Sequence, residues 1–199
     1  MMTLVIGGSG SGKSAWAEDF LVSCLAGKRA YYVAAMRVSD EESRERVQRH
    51  RRMRAGKGFL TLEQPTDAHR AAERMEGQPE DKTALLECVS NLTANEMFSA
   101  WPPLPEEETA GKLLSDLEGL ERAVSHLVVV TNNVFEDGRI YEETTMAYLR
   151  AMGRINAGLA RRAERVVEVV CGIPLFLKGQ PPAARENWKE KGGVTGCGS

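Results

Sequence analysis

Five short apolar runs recur along the chain, and segments with helical spacing of apolar residues alternate with them. The runs are rich in Val, Ile, Leu and Tyr and lie at 3–6, 30–35, 83–88, 127–131 and 166–171. Continuous apolar runs of this length are typical of strands that are buried on both faces. The alternation predicts an α/β fold, with a mostly parallel sheet and helices on both faces. The predicted helices lie at 13–25, 40–54, 66–75, 91–99, 106–126 and 141–163.

The carboxyl-terminal part of the pattern shows where the sheet ends. In the last predicted helix Tyr148, Met152, Ile155 and Leu159 are spaced by three and four residues, so they form one apolar stripe that should pack on the sheet. Gly172 and Pro174 then separate the fifth run from 175–177, which predicts a turn into an edge strand. After residue 178 the periodicity is lost. We therefore expect a single domain at 1–178 and an irregular tail at 179–199.

Composition narrows the class of protein. The chain has 199 residues, 42% of them hydrophobic and 27% charged, which fits one globular domain. A formal net charge of −2 gives no global field to attract nucleic acid or an acidic membrane. No apolar stretch reaches membrane-span length, and the amino terminus lacks the basic start of a signal peptide, so we expect a cytoplasmic protein. The four cysteines form no C-x-x-C pair, so neither structural zinc nor disulfides are expected.

A phosphate-loop pattern, G-x-x-x-x-G-K-[ST], follows the first predicted strand and precedes a predicted helix. Glycines let the backbone curl so that successive N–H groups point into one concavity, and the helix N-terminus adds partial positive charge there. Lys13 is expected to reach the β and γ phosphates, and the Ser14 hydroxyl is expected to bind Mg²⁺. The predicted nucleotide site consists of Gly7, Gly8, Ser9, Gly10, Ser11, Gly12, Lys13 and Ser14.

A phosphate loop also needs an acid at the end of a neighbouring strand, where it holds the water shell of the magnesium ion. Glu87 ends the apolar run that begins at Thr83, so it has the required position, although Asp is more usual there. Ser14 and Glu87 are therefore the predicted metal-binding residues. The alternative is that Glu87 is an exposed carboxylate without a function.

The predicted helix at 40–54 begins acidic and ends basic, which complements the helix dipole. Val47 is its only internal aliphatic residue, so His50 should be accessible to solvent. Arg46 and Arg54 lie four residues before and after His50 and share its face, where they favour a neutral imidazole and can bind a phosphate. Such an imidazole could attack an α-phosphate with pyrophosphate leaving. A solvated basic face and an RNA-binding helix remain alternatives.

The motifs together resemble the family of bifunctional adenosylcobinamide kinases and adenosylcobinamide-phosphate guanylyltransferases. The resemblance covers about residues 2–178, and its most specific part is the phosphate loop combined with H-R-x-x-R and L-L-E-C. The matched segments are G-G-x-x-S-G-K-S at 7–14 with Ala17-Glu18, Y-V-A-A at 32–35, D-E-E at 40–42, R-[IV]-x-x-H-R-x-x-R at 46–54, T-x-E at 61–63, L-L-E-C at 85–88, V-T-N at 130–132, G-x-[IV]-N at 153–156 and G-I-P at 172–174.

The resemblance implies a RecA-like P-loop fold, a three-layer sandwich with an antiparallel edge strand, assembled as a homotrimer. It implies transfer of the γ-phosphate of ATP or GTP to the aminopropanol hydroxyl of adenosylcobinamide. GMP from GTP then passes through a histidine, which maps onto His50, to give adenosylcobinamide-GDP. Besides the phosphate loop, the implied nucleotide contacts are Ala34, Ala35, Met36, Arg51, Arg52, Met53, Arg54, Glu63 and Glu87.

The chain departs from the family pattern after the fourth predicted strand, where it has T-N-N-V-F in place of T-N-E-V-G. Asn133 and Phe135 thus replace a carboxylate and a glycine in a loop that we expect to serve the kinase reaction or corrinoid binding. In addition, Ala55 replaces the proline that usually follows the basic helix, and Phe59 replaces a tryptophan.

Two other functions fit individual motifs. One is a P-loop kinase or NTPase without a covalent nucleotide, in which Glu87 or Asp40 orients the acceptor. The other is a nucleotide-gated RNA-binding module whose arginines contact phosphates, but the net charge and the absence of aromatic residues on that helix count against it. His69, on a charged helix, and His126, at a helix C-terminus, are interpreted as ordinary residues without metal-ligand spacing.

Overall fold

Seven strands form a single sheet in the computed structural model, which describes residues 1–37, 56–134 and 138–181. The strands are β1 (Met2–Gly7), β2 (Arg29–Ala34), β3 (Phe59–Glu63), β4 (Lys82–Glu87), β5 (His126–Asn132), β6 (Arg165–Val170) and β7 (Ile173–Lys178). Their order across the sheet is β3-β2-β4-β5-β1-β6-β7. All neighbouring pairs are parallel except β6 and β7, which confirms the predicted parallel sheet with an antiparallel edge strand.

Among the residues that the structure describes, four α-helices cover the two faces of the sheet. They are α1 (Lys13–Ser23), α2 (Val89–Met97), α3 (Glu106–Arg122) and α4 (Glu143–Arg162), and two short 3-10 helices lie at Ala68–Arg74 and Pro79–Asp81. One hydrophobic cluster joins α1 to one face, and a larger cluster joins α2, α3 and α4 to the other. The result is the predicted three-layer α/β sandwich.

The central strands contribute to both clusters because successive side chains of a strand point to opposite faces. In β4, for example, Leu85 packs with α1 and Leu86 with the other helices. Met152, Ile155 and Leu159 of α4 are fully buried, and Tyr148 packs beside them, so the predicted apolar stripe faces the core.

β3 is the element that the apolar runs did not predict. Within the described strands it pairs with β2 alone and stands last in the strand order, and part of its surface faces solvent. Leu60 is 51% exposed, and Thr61 and Glu63 are exposed as well. A strand with this exposure has no continuous apolar run.

Other differences from the predicted elements concern boundaries and type. The predicted helix at 66–75 is a 3-10 helix, α2 begins two residues earlier than predicted, and α3 ends at Arg122 instead of 126. The predicted basic helix at 40–54 lies outside the residues that the structure describes. Among the helices described, none has both the length and the apolar composition needed to cross a membrane.

Candidate active site

The phosphate loop connects β1 to α1 at the carboxyl edge of the sheet. Gly10 and Gly12 have φ values of 72° and 87°, in the left-handed region that residues with a Cβ rarely adopt. A Cβ on Gly7 would lie 2.5 Å from Ser11 Oγ and 2.7 Å from the Val169 carbonyl oxygen. The loop conformation therefore requires glycine at these positions.

Lys13 is buried at the start of α1, and its ammonium group donates a hydrogen bond of 3.1 Å to the Gly8 carbonyl oxygen. This bond holds the side chain back along the loop. Glycine occupies the N-cap of α1, and the N–H groups of the first helical turn add positive potential at the same place. Lys13 and the helix terminus thus create a cationic site of the kind that binds phosphates.

Glu87 ends β4, and its carboxylate accepts hydrogen bonds from two other elements, helix α1 and strand β2. The Ser14 hydroxyl donates a hydrogen bond to Glu87 Oε1, and the Tyr32 hydroxyl donates one of 2.6 Å to Glu87 Oε2. The structure thus brings together the two residues that the sequence predicts to bind metal. A hydroxyl and a carboxylate oxygen in direct contact are donors suited to Mg²⁺, which takes one or two protein oxygens and keeps several waters.

The turn between β6 and β7 supports the phosphate loop from outside. The Gly172 N–H donates a hydrogen bond of 2.8 Å to the Ser11 carbonyl oxygen, and a Cβ on Gly12 would lie 3.3 Å from Gly172 Cα. The sequence predicted the turn at Gly172 and Pro174 but not its contact with the phosphate loop, because that contact joins residues about 160 positions apart. The antiparallel edge strand is therefore part of the structure that holds the loop.

A second polar cluster lies beside Glu87, at the carboxyl ends of β4 and β5. Asn132 Nδ2 donates a hydrogen bond of 2.6 Å to Ser90 Oγ, which lies 3.0 Å from Cys88 Sγ. The Tyr148 hydroxyl donates to the Ser90 carbonyl oxygen at 3.2 Å. Burial raises the pKa of the Cys88 thiol, and it raises the pKa of Tyr148 to about 12, so both side chains are neutral. The sequence predicted Tyr148 only as a core residue and assigned no role to Ser90.

The implied nucleotide contacts at the ends of β2 and β3 lie side by side. Ala34 is the register partner of Glu63 on one side and of Glu87 on the other. Ala35 is buried and Met36 is half-buried. Asn95 of α2 donates hydrogen bonds to the carbonyl oxygens of Ala35 (2.8 Å) and Pro65 (2.9 Å), which ties the two strand ends together.

These strand ends lie far from the phosphate loop along the sheet. Between β1 and β3 lie β5, β4 and β2, so four inter-strand spacings of about 4.8 Å separate the two ends by roughly 19 Å. Glu63 and Lys13 therefore cannot contact the same phosphate. A nucleotide that reaches both would extend across the carboxyl edge of the sheet.

Five of the predicted site residues belong to the connection between β2 and β3, and they lie outside the described residues: His50, Arg51, Arg52, Met53 and Arg54. The end of that connection is described. Lys57 donates hydrogen bonds to Glu18 (2.9 Å) and Asp19 (2.8 Å), and it thereby attaches the entry to β3 to helix α1.

The other two histidines lie elsewhere. His126 does not cap a helix as predicted but begins β5, where its Nε2 lies 2.9 Å from Thr3 Oγ1. It is buried, and burial followed by the nearby Arg165 lowers its pKa to about 4. The predicted position at a helix C-terminus was wrong, because the helix ends at Arg122 and His126 belongs to the following strand.

His69 lies near two carboxylates that sequence spacing could not reveal. Its Nδ1 is 2.7 Å from Asp116, and Asp67 is close enough for the three groups to hold a metal ion. The ammonium group of Lys112 already makes hydrogen bonds to Asp67, Glu96 and Asp116, at 2.8, 2.7 and 2.9 Å. A cation of the chain itself therefore neutralises this cluster.

The fold and the site define a P-loop α/β protein that binds nucleotide phosphates. The chain belongs to the cobinamide kinase / cobinamide phosphate guanyltransferase family, whose sequence profile matches residues 3–177. It is accordingly a transferase, as the sequence predicts.

Curated relatives of similar length support the assignment. The bifunctional adenosylcobalamin biosynthesis protein CobP of Pseudomonas aeruginosa is 29% identical over 181 residues, which are 91% of this chain and 99% of that protein. The bifunctional adenosylcobalamin biosynthesis proteins CobU of Escherichia coli and Salmonella typhimurium are each 28% identical, over 196 and 193 residues. In both cases the similarity covers 89% of this chain and 100% of the relative.

Proposed function

We propose that this chain phosphorylates adenosylcobinamide with ATP or GTP and then transfers GMP to the product, giving adenosylcobinamide-GDP in cobalamin biosynthesis. The observation that carries the proposal is the contact between Ser14 of the phosphate loop and Glu87 of β4, in a chain that matches the family almost throughout. That contact brings the loop that would hold the triphosphate and the acid that would serve its metal ion into one site.

The kinase step needs positioning and charge stabilisation more than covalent chemistry by the protein. The acceptor hydroxyl oxygen forms a bond to the γ-phosphorus, and the bond to the β–γ bridging oxygen breaks with its electron pair. The nucleoside diphosphate leaves, and the hydroxyl proton is released to solvent. Lys13 and the N–H groups of the loop stabilise the negative charge on the phosphate oxygens. Mg²⁺ held through Ser14 and Glu87 would neutralise further charge on the β and γ phosphates.

The guanylyl step rests on the sequence motif around His50. A ring nitrogen of neutral His50 forms a bond to the α-phosphorus of GTP, and pyrophosphate leaves. A terminal phosphate oxygen of adenosylcobinamide phosphate then attacks the same phosphorus, the N–P bond breaks, and the imidazole is regenerated. Arg51 and Arg54 would offset charge on the α-phosphate during both displacements.

The first experiment separates the two activities. Purified protein is incubated with Mg²⁺ and GTP labelled at the α-phosphate and then denatured. We expect acid-labile, base-stable label on the wild type and none on His50→Ala. His50→Ala should still phosphorylate adenosylcobinamide, whereas Lys13→Ala should lose that reaction. Absence of label on a wild type that binds GTP and phosphorylates the corrinoid would leave a P-loop kinase without a covalent intermediate.

The resemblance also implies that the protein assembles as a homotrimer, which we include in the proposal together with a single domain at 1–178. Light scattering during size-exclusion chromatography should give three times the mass of one chain. A monomeric mass would remove this part of the proposal without affecting the proposed reactions.

A further inference from the structure

We propose that Asn132 binds the acceptor hydroxyl of the substrate and that Ser90 orients Asn132 for this task. The inference rests on the proposed kinase activity and assigns two residues of the same site. It concerns the small polar cluster beside Glu87, whose members are Cys88, Ser90, Asn132 and Tyr148.

The position of Asn132 follows from strand order. β5 lies between β1, which leads into the phosphate loop, and β4, which ends at Glu87. Asn132 is the register partner of Gly7, and the Asn133 N–H donates a hydrogen bond of 3.2 Å to the Gly7 carbonyl oxygen. The end of β5 is thus about one strand spacing, 4.8 Å, from each of the two neighbouring strands. An acceptor bound at this strand end would lie beside a γ-phosphate held between Lys13 and Glu87.

Hydrogen bonds at the Nδ2 end of the Asn132 side chain fix the orientation of its amide group. Nδ2 donates to Ser90 Oγ at 2.6 Å and lies 3.9 Å from Cys88 Sγ. Ser90 is itself held, since the Tyr148 hydroxyl donates to its carbonyl oxygen. With Nδ2 turned toward Ser90, the other atom of the amide, Oδ1, faces away from that contact. In the described part of the chain, Oδ1 has no hydrogen-bond partner.

The chemistry of Oδ1 selects the ligand. An amide oxygen accepts hydrogen bonds and cannot donate them, so it cannot bind a phosphate oxygen directly. It can bind an alcohol O–H, which leaves the lone pairs of the alcohol oxygen free to face phosphorus. Tyr148, which holds Ser90, adds no charge here, because burial raises its pKa to about 12 and keeps its hydroxyl protonated. An uncharged alcohol satisfies all these conditions.

The test is a thermodynamic cycle on the full-length protein that compares two ligands in two proteins. Binding of adenosylcobinamide and of an analogue that lacks the acceptor hydroxyl is measured with wild type and with Asn132→Ala. We expect wild type to bind the alcohol about tenfold more tightly than the analogue, and Asn132→Ala to bind the two nearly equally. The affinity for Mg·GTP should stay within about twofold of the wild-type value. Equal binding of alcohol and analogue by wild type overturns the proposal without any variant.

Kinetics on Ser90 provide the second measurement. Because Ser90 acts through Asn132, Ser90→Ala should lower kcat/KM for the alcohol by about threefold to tenfold and leave the affinity for GTP unchanged. Thr93→Val is the matched control, since it removes another buried hydroxyl of α2, one that donates to the Val89 carbonyl oxygen of its own helix and makes no contact with Asn132 among the described residues. An equal loss in both variants would assign Ser90 a structural role and contradict the proposal.

The outcomes also separate this inference from the proposed function. If wild type transfers no phosphate to the corrinoid alcohol, the proposed kinase activity fails, and the assignment of Asn132 fails with it. If wild type transfers phosphate while Asn132→Ala retains full discrimination between alcohol and analogue, only the assignment fails.

Discussion

At the scale of single residues, packing as well as ligand binding constrains the phosphate loop. Gly7 shows this, because the space that a Cβ would need is occupied by Ser11 Oγ and by the carbonyl oxygen of Val169 on β6. Gly8 is the opposite case, since nothing lies within 4 Å of the Cβ position and its φ is not positive. Packing therefore requires glycine at position 7, whereas neither packing nor backbone conformation requires it at position 8.

We predict that Gly7→Ala destabilises the protein without nucleotide by about 2 kcal/mol and lowers its melting temperature by about 6 °C, through overpacking against backbone. Gly8→Ala should leave the melting temperature nearly unchanged. Thermal unfolding of both variants without ligand measures this, and equal melting temperatures for the two would show that the loop can adjust.

His126 makes the stability dependent on pH. Its pKa is lowered from the ordinary 6.5 to about 4, first because it is buried, so between these values the unfolded state binds more protons than the folded state. The contribution of neutral His126 to stability is therefore present above pH 6.5 and lost as the pH falls toward 4.

We expect His126 to account for about 2 kcal/mol of stability lost between pH 7.5 and pH 5. Urea unfolding at the two pH values should show a smaller loss in His126→Gln than in wild type. Other groups also titrate in this range, so the difference between the two proteins is the quantity to compare. Identical losses in the two proteins would mean that folding does not lower the pKa of His126.

At the scale of elements, the sequence predicted what is buried on both faces and missed what lies at an edge. β1, β2, β4, β5 and β6 each have helices on both sides, so their apolar runs are continuous. β3 has a single neighbour among the described strands, and its five residues mix apolar with exposed polar side chains and include the half-exposed Leu60, so they form no continuous buried apolar run. The phosphate loop was predictable because its chemistry is local in sequence. Ser90, Tyr148 and the β6–β7 turn were not, because their roles depend on contacts between distant segments.

Lys112 connects three elements through its carboxylate partners: Asp67 before the 3-10 helix Ala68–Arg74, Glu96 of α2 and Asp116 of α3. Glu96 and Asp116 are only 4% and 7% exposed, so each needs a cation when the helices are packed. The hydrogen bond from Lys112 also holds the pKa of Asp67 below its ordinary value of 3.8.

We predict that Lys112→Met lowers the free energy of unfolding by about 3 kcal/mol at pH 7, because it leaves buried carboxylates without their cation. Arg122→Met on the same helix removes an exposed pair with Glu118, and it should cost less than about 1 kcal/mol. Because the hydrogen bond from Lys112 lowers the pKa of Asp67, the stability that this bond contributes is present above pH 3.8 and lost as the pH falls below that value, so the effect of Lys112→Met should shrink there. Urea unfolding at pH 7 and pH 3.5 measures both statements, and similar costs for the two variants at pH 7 would contradict the assigned role.

At the scale of the whole molecule, ligand binding and folding are linked, because the phosphate loop is held by β1, β6 and the β6–β7 turn, which come together only in the folded chain. A nucleotide that binds the folded chain but not the unfolded chain must therefore stabilise the protein.

We expect Mg·GTP at one hundred times its Kd to stabilise wild type by about 2.7 kcal/mol and to raise the melting temperature by about 5–10 °C. Lys13→Ala should lose most of this increase at the same concentration, while its melting temperature without nucleotide stays close to that of wild type. Differential scanning fluorimetry measures both, and a full increase in Lys13→Ala would exclude Lys13 from the nucleotide site.

The hydrogen bond from Gly172 to Ser11 limits how this protein could be rebuilt. A designer who copied only the strand, loop and first helix into another scaffold would omit the hairpin of β6 and β7 against which the loop rests. The transplant would need its own second glycine-containing turn at that place. For the same reason, Cys171-Gly172 is a poor place to open the chain for a circular permutant, since new termini there would cut the support of the phosphate loop.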